Sequence, residues 1–271
     1  MNTILKVNSK CVKCGICADI CPASVIMMGT DGPRDPFSAA CIACGHCVAV
    51  CPNEALDNIK APLNMQKSLD GFQPPSPGQT YNFLRSRRSI RNYKEQSVPD
   101  EIILKLLDIS RFAPTGGNSQ GLSYLVVSDK KILKGIIENV IIWMESEIEK
   151  KTPWAIFYSG FVKLYRKTGK DIVLRGAPHL LLALADKAFY LGHDNTLFSL
   201  EYAELYAVSM GLGTCWAGFV GLCAGSGYKP LYDLLNITDN TVITGGLMLG
   251  YPKYSYKRLV DRNPLNVKWI K

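Results

Sequence analysis

The chain has 271 residues, 47% of them apolar, and a formal net charge of +8. This length allows one large domain, or a small domain joined to a medium one, with a genuine hydrophobic core in either case. No apolar run approaches the roughly twenty residues that a membrane-spanning helix needs. Residues 1–10 contain no apolar signal-peptide segment. We therefore expect a soluble, cytoplasmic protein that does not bind membranes.

The first sixty residues contain one cysteine pattern twice. C-x2-C-x2-C-x3-C-P runs from Cys11 to Pro22 and again, thirty residues later, from Cys41 to Pro52. This spacing is typical of bacterial ferredoxins, in which three thiolates of each run bind one [4Fe-4S] cluster and the fourth binds the other cluster. The predicted ligand sets are Cys11, Cys14, Cys17 and Cys51 for the first cluster, and Cys41, Cys44, Cys47 and Cys21 for the second.

Residues next to the cysteines agree with this prediction. Gly15 and Gly45 follow the second cysteine of each run, where a residue without Cβ lets the backbone pass close to a cluster. Pro22 and Pro52 are expected to end the short helical turn that holds each fourth cysteine. Structural zinc usually uses two C-x2-C pairs with a longer spacer, and disulfides require export. Two [4Fe-4S] clusters are favoured over these alternatives.

The repeat suggests three parts in the chain. Residues 1–60 form the predicted two-cluster module, whose thirty-residue period indicates a duplicated half-unit. Residues 61–80 are rich in proline and glycine and are predicted to be an extended linker. Residues 81–271 form the larger domain. A linker of this length spans up to roughly 60 Å, so it does not decide whether the clusters serve their own chain's site or a partner's.

Three segments of the larger domain have the composition of a binding site. Four arginines and Ser89 fall within residues 85–91 and can clamp a phosphate. A loop of small and amide residues, Pro114–Gln120, allows close approach of a ligand to the backbone. The third segment is Gly211–Phe219. For the arginine-rich segment, a solvated basic face or a nucleic-acid contact is the alternative interpretation.

Hydrophobic periodicity predicts the elements between these segments. Ser97 and Asp100 form a helix-start pattern before an apolar stripe that ends at Pro114. The further predicted elements are strand Leu122–Val127, helix Asp129–Lys151, strand Leu180–Ala185, helix Asp194–Met210 and strand Thr241–Leu249. The aromatic-rich residues 154–165 are interpreted as core or dimer interface. Cys215, Cys223 and the three histidines are predicted to be neither reactive nor metal ligands.

The three segments occur in the order seen in FMN-dependent nitroreductases. The chain as a whole resembles the ferredoxin-nitroreductase fusions of anaerobic bacteria. This resemblance implies an α+β fold, in which a bacterial 2[4Fe-4S] ferredoxin-like domain precedes a nitroreductase-like domain. The latter would have a mainly antiparallel central sheet flanked by helices. Bound clusters and an FMN phosphate would offset most of the basic excess, leaving a net charge of roughly +2.

The resemblance also implies a flavin site. Arg87, Arg88 and Ser89 match residues at the FMN phosphate and ribityl chain, and Arg91 matches the basic residue near flavin N1/O2. The loop with Pro114, Thr115, Gly116 and Asn118 matches one that reaches the partner subunit's flavin, which implies a homodimer with FMN at the subunit interface. Cys215, Trp216, Ala217 and Gly218 match the loop whose backbone N–H faces flavin N5. Lys257 and Arg258 match the C-terminal phosphate contacts.

The expected function is an FMN-dependent oxidoreductase that receives electrons through two [4Fe-4S] clusters and reduces a nitro compound, activated alkene or quinone. No side chain is assigned as catalytic, because the chemistry is expected at flavin N5. The electron donor would be an external ferredoxin, an iron-sulfur reductase or NAD(P)H. Compared with the family's pattern, Ala217 stands where an acidic residue often precedes the glycine of the N5 loop. Trp216 would narrow the substrate side of the flavin. The alternatives are an NAD(P)H-driven nitroreductase or ene-reductase with accessory clusters, and an electron carrier or redox sensor without a small acceptor.

Overall fold

The computed structural model describes residues 3–271, which fall into two compact units. The first contains the residues through Pro74 together with Gly117–Ser119. The second contains Pro75–Gly116 and Gln120–Lys271. No helix within residues 3–271 is both long enough and apolar enough to cross a membrane.

The first unit contains two short antiparallel strand pairs and two single-turn helices. Its elements are β1 (Leu5–Val7), α1 (Ile16–Asp19), β2 (Met27–Gly29), β3 (Gly32–Arg34), α2 (His46–Ala49) and β4 (Leu56–Asn58). β1 pairs with β4 and β2 with β3, both antiparallel. The small core packs apolar side chains against the cysteines themselves. A core of this size depends on bound metal for its stability.

The backbone of the first unit repeats as its sequence does. Gly15 and Gly45 precede α1 and α2 with φ of 82° and 73°, a backbone conformation that favours glycine. Two further pairs at the same thirty-residue spacing also have positive φ. They are Lys13 (57°) with Ala43 (56°), and Ser24 (50°) with Glu54 (49°). One detail of the prediction was wrong, because α1 and α2 end at Asp19 and Ala49, before the fourth cysteines.

The second unit contains seven helices and four strands. They are α3 (Pro77–Ser86), α4 (Asp100–Ser110), β5 (Leu122–Val127), α5 (Lys130–Glu149), α6 (Ala155–Thr168), β6 (His179–Asp186), α7 (Gly192–Ser209), β7 (Gly213–Trp216), α8 (Gly218–Gly225), α9 (Lys229–Leu234) and β8 (Thr241–Gly250). The strands form one antiparallel sheet in the order β5-β6-β8-β7. Residues 251–271 follow β8 without regular secondary structure and are mostly exposed.

Both faces of this sheet are covered by helices. Leu180 and Leu182 of β6 pack in the core with α5, whereas Leu181 and Ala183 pack in the core with α4 and α7. Alternate residues of a strand point to opposite faces, so the continuous apolar run of β6 is the pattern expected for a strand buried on both sides. The predicted fold, an antiparallel central sheet flanked by helices, is confirmed.

Two predictions about element boundaries need correction. Residues 77–80 were predicted to be linker, but α3 begins at Pro77, where Ser76 and Gln79 form a reciprocal capping box. Ser97 was predicted to mark the start of α4. The residue preceding α4 is instead Pro99, with no side-chain cap, and the Ser97 hydroxyl lies 3.1 Å from His179 Nε2.

The neutral side chain of His179 links three segments of the second unit through hydrogen bonds. Its Nε2 accepts the Val98 N–H at 2.9 Å, so the ring proton is on Nδ1, which lies 2.6 Å from Ser128 Oγ. Burial lowers the pKa of His179, and the only opposing effect is the negative charge of Asp100. A second proton would remove the acceptor that Val98 requires.

We expect this histidine to make the stability of the second unit depend on pH. Because its pKa is lowered on folding, the unfolded chain binds more protons, and stability falls as pH drops below about 6.5. All four tryptophans lie beyond residue 142, so urea unfolding followed by their fluorescence at pH 5 to 8 reports on this unit. His179→Gln should flatten the slope and exposed His193→Gln should leave it unchanged. Equal slopes for both variants would contradict the assignment.

Alanine substitutions at two glycines of the second unit are expected to have opposite effects on stability. A Cβ at Gly246 in β8 would lie 2.9 Å from the Leu181 backbone oxygen, which cannot move aside, whereas a Cβ at Gly160 in α6 would meet nothing within 4 Å. Gly246→Ala should therefore lower the free energy of unfolding by about 1–3 kcal/mol. Gly160→Ala should raise it by about 0.5–1 kcal/mol through helix propensity. Thermal unfolding of the two variants in parallel checks both signs.

Candidate functional site

The eight cysteines of the two runs line two separate cavities in the first unit. One cavity is lined by Cys11, Cys14, Cys17 and Cys51, and the other by Cys21, Cys41, Cys44 and Cys47. Their volumes are similar, about 20 Å³ each. Each fourth cysteine thus lies with the three cysteines of the other run, which is the crossed arrangement that the spacing predicts.

The donor atoms that both cavities share are cysteine sulfurs. Among the described residues, no three His, Cys, Asp or Glu side chains converge closely enough to hold a single metal ion. All ten cysteines are unpaired. Burial raises the pKa of the Cys17 and Cys47 thiols, so metal binding at these positions must release protons. The donor set fits an iron-sulfur cluster in each cavity better than structural zinc or disulfides.

A buried amide distinguishes the second cavity from the first. The Asn58 side-chain nitrogen lies 3.9 Å from the sulfurs of both Cys41 and Cys47, and Asn58 is 2% exposed. Thirty residues earlier, the equivalent position is Met28, which lines the first cavity and has no N–H to donate. In the first cavity the Ala55 backbone N–H donates to Cys51 Sγ at 3.2 Å. The two halves therefore differ in side-chain hydrogen bonding to their ligands.

In the second unit, the predicted flavin-phosphate segment lies along β7. Ser89 forms a parallel bridge with Thr214, and the Ile90 N–H donates to the Thr214 carbonyl at 2.8 Å. This approach requires glycine at position 213, because a Cβ there would lie 2.7 Å from the Ile90 side chain. Ser89 is thereby placed beside Cys215. The structure thus brings together two of the three segments that the sequence singled out.

Arg87 is held by carboxylates on α7. Its guanidinium lies 3.5 Å from Glu204 and 3.8 Å from Glu201. Glu204 is buried and also accepts the Thr214 hydroxyl at 2.9 Å. Burial raises the pKa of Glu204, while Arg87 and the Thr214 hydroxyl lower it. This network fixes the orientation of Arg87 and links its side chain to the same β7 residue that binds the backbone of the arginine segment.

Arg88 and Arg91 have donors free for an anion. Within residues 3–271 neither forms an ion pair with a carboxylate. The Arg88 guanidinium lies 5.3 Å from the centre of the Tyr256 ring, and Arg91 makes only a long contact with the Ser89 carbonyl. Tyr256 directly precedes Lys257 and Arg258, both of which are exposed.

The segment from Cys215 to Gly218 connects β7 to α8. The Ala217 N–H donates to the Gly246 carbonyl at 2.8 Å and is not available to a ligand. The Gly218 N–H, the first in α8, has no partner within its helix. Trp216 packs so closely on Gly245 that a Cβ there would lie 2.7 Å from its ring. Burial raises the pKa of Cys215, and burial raises that of Cys223 to about 12, as expected for unreactive thiols.

The Pro114–Gln120 loop lies at the other end of α7. The Gly116 N–H faces the Asn195 side-chain oxygen at 3.4 Å, and the Gln120 N–H donates to Thr115 Oγ1 at 3.1 Å. Asn195 and Glu204 are nine residues apart on one helix, about 13 Å along its axis. Gly117 to Ser119 group with the first unit.

Glu201, Glu204, Thr214 and Asn58 were not identified from the sequence as site residues. Glu204 could have been noticed, because it is an acidic residue adjacent to Ala203 within the run of small and apolar residues that α7 buries. Asn58 could have been found by superposing the two halves of the repeat, where it replaces Met28. Neither signal identifies a binding partner.

Comparison with known proteins assigns both units to families. Residues 84–251, more than half of the chain, match the model of the nitroreductase family. The chain belongs to the nitroreductase family. Residues 10–56 match a 4Fe-4S dicluster domain, so the protein joins a dicluster ferredoxin domain to a nitroreductase domain, as the resemblance implied. It is similar to iodotyrosine deiodinase of Thermotoga neapolitana, with 30% identity over 49% of this chain and 70% of the relative.

Two further matches to the nitroreductase domain extend over most of the relative's length. A 4-nitrobenzoate reductase of Pseudomonas putida is 26% identical, covering 62% of this chain and 83% of the relative. The crystal structure of a Bacteroides fragilis nitroreductase with bound FMN matches with a TM-score of 0.57, covering 70% of this chain and 99% of that one. Its 17% identity makes this a likeness of fold alone.

Proposed function

We propose that this protein is an FMN-dependent oxidoreductase that takes up electrons through two [4Fe-4S] clusters and reduces a small organic acceptor, with a nitroaromatic compound as the first candidate. The observation that carries the proposal is the pair of four-cysteine cavities in the same chain as a nitroreductase domain. Each cavity offers the four thiolates that one cubane cluster requires.

The residues along β7 fit an FMN phosphate. Arg88 offers guanidinium donors without a competing carboxylate, and the Ser89 hydroxyl lies beside it in sequence. Arg87 contributes positive charge but is shared with Glu204, so its orientation is fixed before any ligand binds. Lys257 and Arg258 add charge from the C-terminal segment. Charge-assisted hydrogen bonds of this kind hold phosphates in many proteins.

The chain would contribute orientation and electrostatics to the reaction. FMN, when bound, supplies the ability to accept electrons singly and pass them on as a pair. The Arg91 guanidinium would stabilise the negative charge that develops at the N1/O2 edge of a reduced flavin. The Gly218 N–H is the backbone donor available near the predicted N5 position, since that of Ala217 is used within the sheet. No side chain is assigned as a general acid.

The proposed assembly is a homodimer. The Pro114–Gln120 loop contacts one end of α7, and the arginine segment contacts the other. A loop from a partner subunit would therefore be needed to complete a flavin site that uses both segments. Several large apolar side chains on α7 are exposed, among them Phe198 and Tyr202, and a second copy would cover them.

An anaerobic optical titration of the full-length protein tests the proposal. Iron, sulfide and FMN per chain are counted first, and reduced ferredoxin, NADH and NADPH are then added separately. The expected result is about eight irons per chain and bleaching of the clusters before the flavin by reduced ferredoxin. Fast reduction of FMN by a nicotinamide while the clusters stay oxidised would make the clusters accessory. Absence of stoichiometric FMN would refute the proposed enzyme.

Because the Asn58 amide lies beside the ligands of the second cavity only, we expect the two clusters to differ in reduction potential. Hydrogen bonds to ligand sulfurs stabilise the reduced, more negative cluster and raise its potential. Asn58→Met places the residue of the first half into the second half, so the potential of one cluster should fall. A tenfold change in the one-electron equilibrium corresponds to about 59 mV. EPR-monitored redox titration should show one potential lowered by tens of millivolts, and equal shifts of both potentials would contradict the assignment.

A further inference from the structure

The two halves of the first unit are related by duplication but differ at their surfaces. A Cβ placed on Gly45 would meet Gln66 at 3.1 Å and Ala61 at 3.3 Å. A Cβ on Gly15, the equivalent residue, would meet only Met28, at 3.9 Å, among residues 3–271. The segment after β4, Ala61–Gln66, thus covers the second half, and nothing in the described chain covers the first half in the same way.

Exposure of the ligands follows this difference. Cys14 is exposed, whereas its counterpart Cys44 is half-buried. Cys17 is half-buried, whereas its counterpart Cys47 is buried. The first cavity is therefore the more accessible from solvent, and a redox partner could approach its ligands most closely there.

Apolar side chains surround the exposed ligand. Val12 and Ile16, on either side of Cys14, are 67% and 41% exposed. Met27 and Met28 of β2 are 53% and 38% exposed, and Met28 also lines the first cavity. An open groove lined by Met27, Met28 and Arg34 lies next to them. We call Val12, Lys13, Cys14, Ile16, Met27 and Met28 the first-cluster face.

Three basic residues of the first half have no basic counterpart in the second half, where Lys60 instead donates to the Cys41 carbonyl at 3.2 Å. Lys10, Lys13 and Arg34 are replaced by Ala40, Ala43 and Asn64 thirty residues later. The Lys13 ammonium donates to the Thr30 carbonyl at 2.8 Å, which holds it beside the β2–β3 turn. Arg34 lies across Gly29, where a Cβ would be 2.3 Å from its Nε. Residues 3–35 contain four basic side chains, those of Lys6, Lys10, Lys13 and Arg34, and three acidic ones, those of Asp19, Asp31 and Asp35, which leaves a positive excess of one.

We propose that the first-cluster face is the docking surface for an acidic one-electron carrier protein, and that electrons enter the chain at the cluster held by Cys11, Cys14, Cys17 and Cys51. This inference rests on the proposed function, because it requires the clusters. A small apolar centre bordered by lysine and arginine suits the transient, steered encounters of electron-transfer proteins, whose interfaces are typically below about 1,200 Å². In the transfer, the carrier loses one electron and the first cluster gains it, with no bond or proton changed.

Cross-linking tests the location without depending on turnover. The probe is a strongly acidic plant-type [2Fe-2S] ferredoxin, mixed anaerobically with the full-length holoprotein at low ionic strength. A carbodiimide couples probe carboxylates directly to lysines that they contact, and mass spectrometry identifies these lysines. We expect cross-links at Lys10 and Lys13 and not at Lys60 or Lys67. Predominant cross-linking at Lys60 or Lys67, or elsewhere in the chain, would overturn the proposal.

Reduction kinetics give a second readout with a matched control. Lys13→Gln combined with Arg34→Gln should slow cluster bleaching by the reduced probe about tenfold at low ionic strength, and the difference should vanish at high salt. Lys67→Gln combined with Lys105→Gln removes the same charge from exposed positions outside the face and should change the rate less than twofold. Equal slowing of both double variants, or none in either, would overturn the docking site.

Reduction by dithionite distinguishes failure of the docking inference from failure of the proposed function. It should bleach the clusters at the same rate in every variant, because it needs no docking surface. If clusters and FMN are present but the probe neither cross-links at this face nor reduces the protein, the docking inference fails and the proposed oxidoreductase stands. If dithionite reveals no cluster absorbance in the holoprotein, the proposed function fails and the inference with it.

Discussion

Cys21→Ala is expected to remove the cluster of the second cavity, although Cys21 belongs to the first cysteine run. Cys21 lines the cavity with Cys41, Cys44 and Cys47, so its loss leaves that set one thiolate short. Iron per chain should fall by about half after anaerobic reconstitution, since each cluster contains four irons. Iron and sulfide analysis with EPR of the reduced protein measures this loss.

Double variants identify which cluster is lost. Adding Cys44→Ala to Cys21→Ala removes a second ligand from the same set and should cost no further iron. Adding Cys14→Ala removes a ligand from the other set, and iron should fall close to zero. Cys223→Ala, a buried cysteine outside both cavities, is the control and should retain all iron. The opposite ranking of the two double variants would show that each run binds its own cluster.

Arg88→Ala is expected to weaken FMN binding by roughly 10- to 100-fold, the effect of losing a hydrogen bond to a charged group worth about 1.5–3 kcal/mol. The Arg88 guanidinium has no carboxylate partner to leave unpaired, so its removal should have little effect on folding. Fluorescence titration of the FMN-stripped protein with FMN measures the dissociation constant directly.

Arg85→Ala is the matched control for this prediction. Arg85 lies three residues earlier, contacts the Tyr81 ring and donates to the Val260 carbonyl at 3.2 Å. It belongs to the arginine-rich segment, but the family resemblance does not assign it to the flavin. Its loss should change FMN affinity less than threefold. If both variants lose FMN equally, the segment acts only through its total positive charge. If neither does, Arg88 is not a phosphate ligand.

Periodicity located the larger elements of the nitroreductase domain well. Strand β5 has the predicted bounds, Leu122–Val127, and α5 differs from its prediction by one residue at its start and two at its end. These elements carry long, regular apolar patterns that the sheet and its covering helices then bury. The crossed cysteine sets were also predictable, because the repeated spacing is typical of ferredoxins in which the fourth cysteine of each run binds the other cluster.

The remaining errors come from contacts between residues distant in sequence. Ser97 has the pattern of a helix cap, but His179 and not the helix receives its hydroxyl. The prediction of Arg87 at the FMN phosphate stays a prediction, but its pairing with Glu204 was not foreseen, because it depends on how α7 packs beside β7. Neither partner can be recognised in a local window of sequence. The flavin contacts stay predictions, since they involve a ligand and a second subunit.

The crossed cysteine sets constrain how the protein acquires iron while it is being made. The nascent chain emerges from the ribosome with Cys11, Cys14 and Cys17 first, but the fourth ligand of their set is Cys51. Neither set is complete until residue 47 has been synthesised, so the first half alone lacks ligands of both sets. Under the proposed function, cluster delivery would therefore wait until both halves have been made.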